Sequence, residues 1–318
     1  MTTAPSFRTT TFVSETRQPV LAWRHAAAKR QLPEGGWSYL QSSSQAALEP
    51  TCLVLLTLRS SPGRTRDRGI EFLLQAQNRN GSWPVLTADD DGGGSWVTAL
   101  AVTTLISCGQ VTPAIERGLQ WLLSSKGREA HWLWRWKFRT TDTHVRFNPD
   151  KFGWPWMPDT CSWVVPTAFS LLALKQSFVC CPSPEVRFRT TRGVEMLLDR
   201  VCPNGGWNSG NGVVYGVPME PHLDATAAAL VALRGERENP VITQSLDWLE
   251  RRAQTCSAPW SLAWTILALD AHARPTRTLI AALTAVSEPE QIEDCATLAA
   301  ATLALDCPIQ GNVFRVLS

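Results

Sequence analysis

Apolar residues recur at i, i+3, i+4 and i+7 along most of this chain, in two kinds of segment. One kind keeps Arg or Glu on one face. It predicts amphipathic helices over about residues 17–30, 66–77, 114–125, 187–200, 241–253 and 276–286. The other kind is apolar or small all round. It predicts enclosed helices over about 47–59, 95–107, 163–175, 224–234, 259–271 and 292–305. The two kinds alternate. An amphipathic helix needs water on one side, whereas an all-round apolar helix needs cover on every side. Six outer helices alternating with six inner ones predict an all-α fold, an (α/α)6 barrel of six helical hairpins. It would occupy residues 17–305, with tails at 1–16 and 306–318. Period-two alternation, the mark of strands, is almost absent.

A repeated phrase fixes the register of the hairpins. Arg68-Gly69-Ile70-Glu71-Phe72-Leu73-Leu74 is echoed by the stretches beginning at Arg117 and Arg192. Fifteen residues after each Arg stands a tryptophan: Trp83, Trp132 and Trp207. The link from Gln77 to Trp83 reads Q-x-x-x-G-x-W, and Gln31 to Trp37 has the same spacing. Glycine there permits a tight turn past a helix end, and the ring would clamp the turn against its neighbour. The inner helices repeat as well. Glu49-Pro50-Thr51-Cys52, Trp96-Val97-Thr98-Ala99, Val165-Pro166-Thr167-Ala168 and Asp224-Ala225-Thr226-Ala227 align as x-x-Thr-small. In a barrel these helix starts meet at one mouth, joined by Trp260 in the fifth hairpin and by Glu293 or Asp294 in the sixth.

Composition narrows the function. The chain is 44% hydrophobic and 18% charged, enough apolar residue for a large core. A net charge of +2 without Lys/Arg runs argues against nucleic acid. Nine cysteines without regular spacing argue for a reducing, cytoplasmic setting rather than a disulfide framework. The stretch from Met1 to Ser14 lacks the apolar run of a signal peptide, and no run approaches the ~20 residues that span a bilayer. Peripheral membrane contact stays open, as does a homodimer or a partner chain. Fifteen tryptophans against two tyrosines is the anomaly.

The Q-x-x-x-G-x-W phrase resembles the repeat of squalene-hopene cyclases and their terpene-cyclase and prenyltransferase relatives. The resemblance covers about residues 20–305 and implies an isoprenoid or similar apolar polyene as substrate. It also implies class II chemistry, in which a buried carboxylic acid protonates an alkene and aromatic faces shelter the carbocation. The family's acid lies in D-x-D-D-T-A, its middle Asp donating. Here the stretch reads His222-Leu223-Asp224-Ala225-Thr226-Ala227. Asp224 is thus the expected acid and His222 its hydrogen-bonding partner, with Glu49 or Asp159 adjusting charge at the mouth. Two of the three motif acids are missing. Asp224 and Glu49 are equally ordinary first-turn carboxylates, favoured there by the helix dipole. Trp96, Trp154, Trp156, Trp163, Trp260 and Trp264 are expected to line the apolar site.

Cofactors are not required by this reading, and two alternatives carry one. Asp159-Thr160-Cys161 resembles the D-x-C stretch of protein prenyltransferase β subunits. That resemblance implies zinc on Asp159, Cys161 and His222. Asp89-Asp90-Asp91 could hold Mg²⁺ or form a solvated loop. A barrel that binds a lipid or a partner without catalysis is the third reading.

Overall fold

The computed structural model describes residues 6–87, 93–141, 147–180, 182–286 and 288–316. Six buried helices form a closed inner ring: α2 (Leu48–Thr57), α4 (Ser95–Ser107), α7 (Val164–Cys180), α9 (Leu223–Ala232), α11 (Pro259–Ala271) and α13 (Cys295–Gln310). Each packs on the next, and α13 packs back on α2. Outside them stand α1 (Ser6–Lys29), α3 (Arg64–Gln75), α5 (Pro113–Ser124), α8 (Pro184–Asp199), α10 (Pro240–Ala253) and α12 (Arg277–Val286). Each outer helix packs against an inner one. The protein is the all-α barrel of hairpins that the alternation predicts. Inner helices such as α9, Leu-Asp-Ala-Thr-Ala-Ala-Ala-Leu-Val-Ala, are small and apolar on all faces because both neighbours, the outer helix and the lumen each claim one.

Apart from short 3-10 turns, the described residues add to the predicted twelve α6 (Trp132–Thr140) and a short hairpin of β1 (Val213–Val214) and β2 (Val217–Pro218). Both sit in connections that lead into inner helices. The ends of the molecule also differ from the expected tails. Helix α1 begins at Ser6, in Thr-rich sequence that carries no apolar stripe. Residues 306–310 continue α13, and Phe314 is buried under the barrel.

The two repeats prove to be one device. The indole N–H groups of Trp37, Trp83 and Trp207 donate to Ala27 O, Leu73 O and Leu197 O on the preceding outer helices, at 2.9, 2.7 and 2.6 Å. Their backbone N–H groups donate to Thr51, Thr98 and Thr226, the threonines of the inner-helix repeat, at 2.9, 3.0 and 2.8 Å. Each clamp thus ties an outer helix to its own inner helix. It also reaches the next hairpin. A Cβ on Gly118 would lie 2.8 Å from the Trp83 ring, so the glycine of the Arg-Gly phrase makes room for the previous clamp. Gly81 (φ +93°) turns directly over the Arg117 carbonyl, where a Cβ would be 2.5 Å away. Gln77 completes the joint by donating to Gly81 O and to Ala114 O on α5, at 2.9 and 2.8 Å.

One clamp is displaced from its expected residue. Trp154, expected in the substrate site, is fully buried in the wall and donates to Leu122 O at 2.7 Å, while its own N–H meets Thr167 at 3.0 Å. Trp132, which stands at the repeat's spacing, is 70% exposed on α6. The reason is an excursion between Gly127 and Gly153, closed where Gly127 N donates to Gly153 O at 3.3 Å. Arg128 N donates to Thr160 O, and the buried Glu129 accepts from Ser162 N at 3.2 Å. The clamp is therefore the first suitable Trp after the excursion, not the one at fixed spacing.

Candidate functional site

The inner-helix starts share one rim, because every connection from an outer to an inner helix lies on that side. Glu49, in the first turn of α2, meets residues from both neighbouring helices there. The Tyr39 hydroxyl donates to Glu49 Oε2 at 2.6 Å. Trp96, from the first turn of α4, stands close enough to act on the same carboxyl. Asp294, the N-cap of α13, stands near enough to act on both Glu49 and Tyr39 through its charge. Backbone bonds hold this arrangement: Cys295 N donates to Tyr39 O at 2.7 Å and Leu48 N to Val85 O at 3.1 Å.

Burial pushes the Glu49 carboxyl above the ordinary range. The Tyr39 hydrogen bond and the neighbouring Trp96 oppose that shift, and the Asp294 charge adds to it. Burial and the Glu49 charge likewise hold the Tyr39 phenol in its protonated form. The Trp156 ring stands edge-to-face on Trp96, centroids 4.9 Å apart. Ser95 N donates to Trp156 O and fixes that loop over α4. The result is a carboxyl biased toward its neutral form, with aromatic faces beside it.

The other expected residues fall into separate places. Asp224 lies in the first turn of α9, partly buried. Its Oδ1 is enclosed and without a hydrogen-bond partner among the described residues. The His222 side chain is exposed, and its backbone, not its ring, serves the helix start. Asp159 is exposed in a turn of left-handed backbone (φ +63°). Asp159, Cys161 and His222 are not gathered into a ligand set. Among the described residues no group of three or more His, Cys, Asp or Glu could hold a metal ion. Asp89, Asp90 and Asp91 lie outside the described residues.

An aromatic column stands inside the ring of helices. Trp260 and Trp264 follow one another on α11, centroids 5.8 Å apart. Phe169 of α7 stands edge-to-face on Trp264 at 5.4 Å, although α9 separates their helices in the ring. That contact therefore crosses the interior. From the opposite end Phe314 packs on Trp264 at 5.3 Å. It is held by Asn312 Nδ2, which donates to Leu267 O at 2.8 Å, and by Arg234, which donates to Val316 O. Phe314 thus floors the column at the end away from the rim. The Trp264 indole N–H is buried without a partner among the described residues. Trp163, expected to line the site, is instead 38% exposed on the rim.

Tyr39, Phe169 and Phe314 were not singled out by sequence. Tyr39 carries one available signal: it is one of only two tyrosines and stands two residues after the first clamp.

No protein-family model matches the chain, and no curated protein matches its sequence. Solved structures do. The type II terpene cyclase MstE from Scytonema superposes with a TM-score of 0.58 at 13% identity, over 93% of this chain and 98% of that one. The fold is one on which type II terpene cyclases are built. A variant of the same cyclase, bound to its substrate geranylgeranyl dihydroxybenzoate, matches at 0.58 and 14% identity, over 96% and 99% of the two chains. Cellobiose 2-epimerase from Spirochaeta thermophila matches at 0.61 and 11% identity, over 96% and 99%. The barrel alone accommodates several chemistries, so function must be argued from the site.

Proposed function

We propose that the protein takes an isoprenoid or similar apolar polyene into the rim-facing lumen and cyclises it by protonation. The observation that supports this reading most is the Glu49 cluster. A carboxyl pushed toward its neutral form stands at an inner-helix start, with Tyr39, Trp96 and Trp156 around it. An acid that adds a proton to an alkene must hold that proton at neutral pH, and burial supplies the bias. Glu49 gives its proton to the terminal alkene carbon and is left as carboxylate. The neighbouring alkene's π pair then closes the ring. Loss of a proton, or capture of water, ends the sequence, and solvent reprotonates Glu49. Indole and phenyl faces at the rim and in the lumen are each worth about 0.5–2 kcal/mol to a passing cation, more as water is excluded. Asp224, with its enclosed and unpartnered Oδ1, is the second acid at the same rim.

The experiment is product analysis with purified protein and a geranylgeranyl-bearing aromatic acid or squalene. Glu49→Gln keeps the shape and removes the acid, so turnover should fall about 100-fold or more. Asp224→Asn, run beside it, decides between the two carboxyls. Full activity in Glu49→Gln with loss in Asp224→Asn would move the donor to α9. A second reading is a barrel that binds the polyene without converting it. The loss of two motif acids around Asp224 favours it, and it predicts unchanged substrate recovered from a stable complex.

A further inference from the structure

The inner helices end at the base of the barrel, away from the rim. There α7, α8, α9 and the segment after α13 border a cavity of about 480 Å³. That size falls within the ~300–1,000 Å³ of small-molecule sites. Leu172, Phe178, Val231 and Val316 give it apolar walls. Lys175, Arg187 and Arg234 line it too, against one acidic side chain, Glu236. The Lys175 ammonium donates to Ala232 O, at the end of α9, at 2.7 Å. That bond caps the helix with one of three N–H donors. Capping does not account for the space beside it. A Cβ on Gly235 would meet one atom within 4 Å beyond its chain neighbours, Lys175 Nζ at 3.9 Å. Burial pushes the Lys175 ammonium below its ordinary pKa, and the Glu236 charge opposes that shift only in part. Arg187 is exposed, its guanidinium 5.6 Å from the Phe178 centroid. Arg234 donates to Ala271 O and Val316 O, and Arg237 and Arg315 add positive charge beside it.

We propose that this basal pocket binds an amphipathic anion, a carboxylate carried on an apolar body. The carboxylate meets Lys175 and Arg187, and the body lies against Leu172, Phe178 and Val231. The excess of positive charge selects an anion, since a carboxylate beside a buried ammonium favours the charged form of both. It also accepts from the donors that the Ala232 bond leaves over. The apolar walls select against a bare ion, because they reward only a ligand that brings apolar surface out of water. Asp224 and Ala232 stand at opposite ends of α9, about 12 Å apart at ~1.5 Å per residue. The site is therefore separate from the carboxyls of the rim, and the inference needs no assumption about the reaction.

The test is equilibrium titration of the full chain with octanoate below its micelle concentration, beside octanol and inorganic phosphate. Octanoate should bind saturably, about tenfold or more tighter than octanol, which lacks the charge, or phosphate, which lacks the apolar body. Lys175→Met keeps the stem and removes the charge, and should weaken octanoate about tenfold or more. Gly235→Leu keeps every charge and fills the open space beside Lys175 Nζ. It should weaken octanoate by a similar factor with an unchanged thermal melt, because Gly235 is exposed. It also decides the matter should Lys175→Met fold poorly. Absence of saturable octanoate binding overturns the proposal. So does octanol or phosphate bound as tightly as octanoate, or octanoate binding that Gly235→Leu leaves intact.

Discussion

Glu49 illustrates how little of a site one residue type reveals. Its place at an inner-helix start is legible from the x-x-Thr-small repeat. Its environment is not, because Tyr39 reaches it from the connection before α2 and Asp294 from another hairpin. The same holds for Asp224. The motif names it, but the aligned His222 partner turns to solvent, since the helix start uses only its backbone. A raised carboxyl pKa links to stability with a definite sign. The folded state holds the proton more tightly, so Glu49 supports the fold below its ordinary value of 4.5. That support is lost as pH rises from 4.5 through the higher folded-state value. Glu49→Gln carries no charge to bury. Its melting temperature relative to wild type should therefore rise as pH goes from acid to neutral. Parallel melts across that range check it, and a constant difference would place Glu49 in water.

At the scale of elements, the clamp is the unit that builds the rim. Thr98→Val removes the acceptor for the Trp83 amide in a fully buried site and should cost about 1–3 kcal/mol by denaturant titration. Gly118→Ala drives a methyl to within 2.8 Å of both Trp83 and Val102 and should cost about the same. Because one joint ties α3, α4 and α5, the two substitutions should combine non-additively. A sum within a few tenths of a kcal/mol would mean that they act on separate contacts. The sequence shows the phrase and its spacing, which suffice for three clamps. Trp154 was missed because fixed spacing cannot see an excursion whose closure depends on Gly127 meeting Gly153.

At the scale of the molecule, the hydrophobic alternation determines the barrel, since only a closed ring covers six all-round apolar helices. What alternation leaves open is how the lumen ends. Phe314 stands in a short polar stretch without periodicity, and its partner Trp264 comes from a different hairpin. Phe314→Ala should remove about 3–5 kcal/mol of stability and deepen the lumen from the base. A smaller loss would mean that the segment is merely laid against the barrel. The central claim concerns the chemistry at the other end of that lumen, and solvent isotope tests it most directly. Protonation from Glu49, which exchanges with water, must write one solvent hydrogen into each product. Incubation with the polyene in deuterated water should give a cyclised product one mass unit heavier, and Glu49→Gln should give none. A cyclised product without deuterium, or a deuterated product formed equally well by Glu49→Gln, would contradict the account.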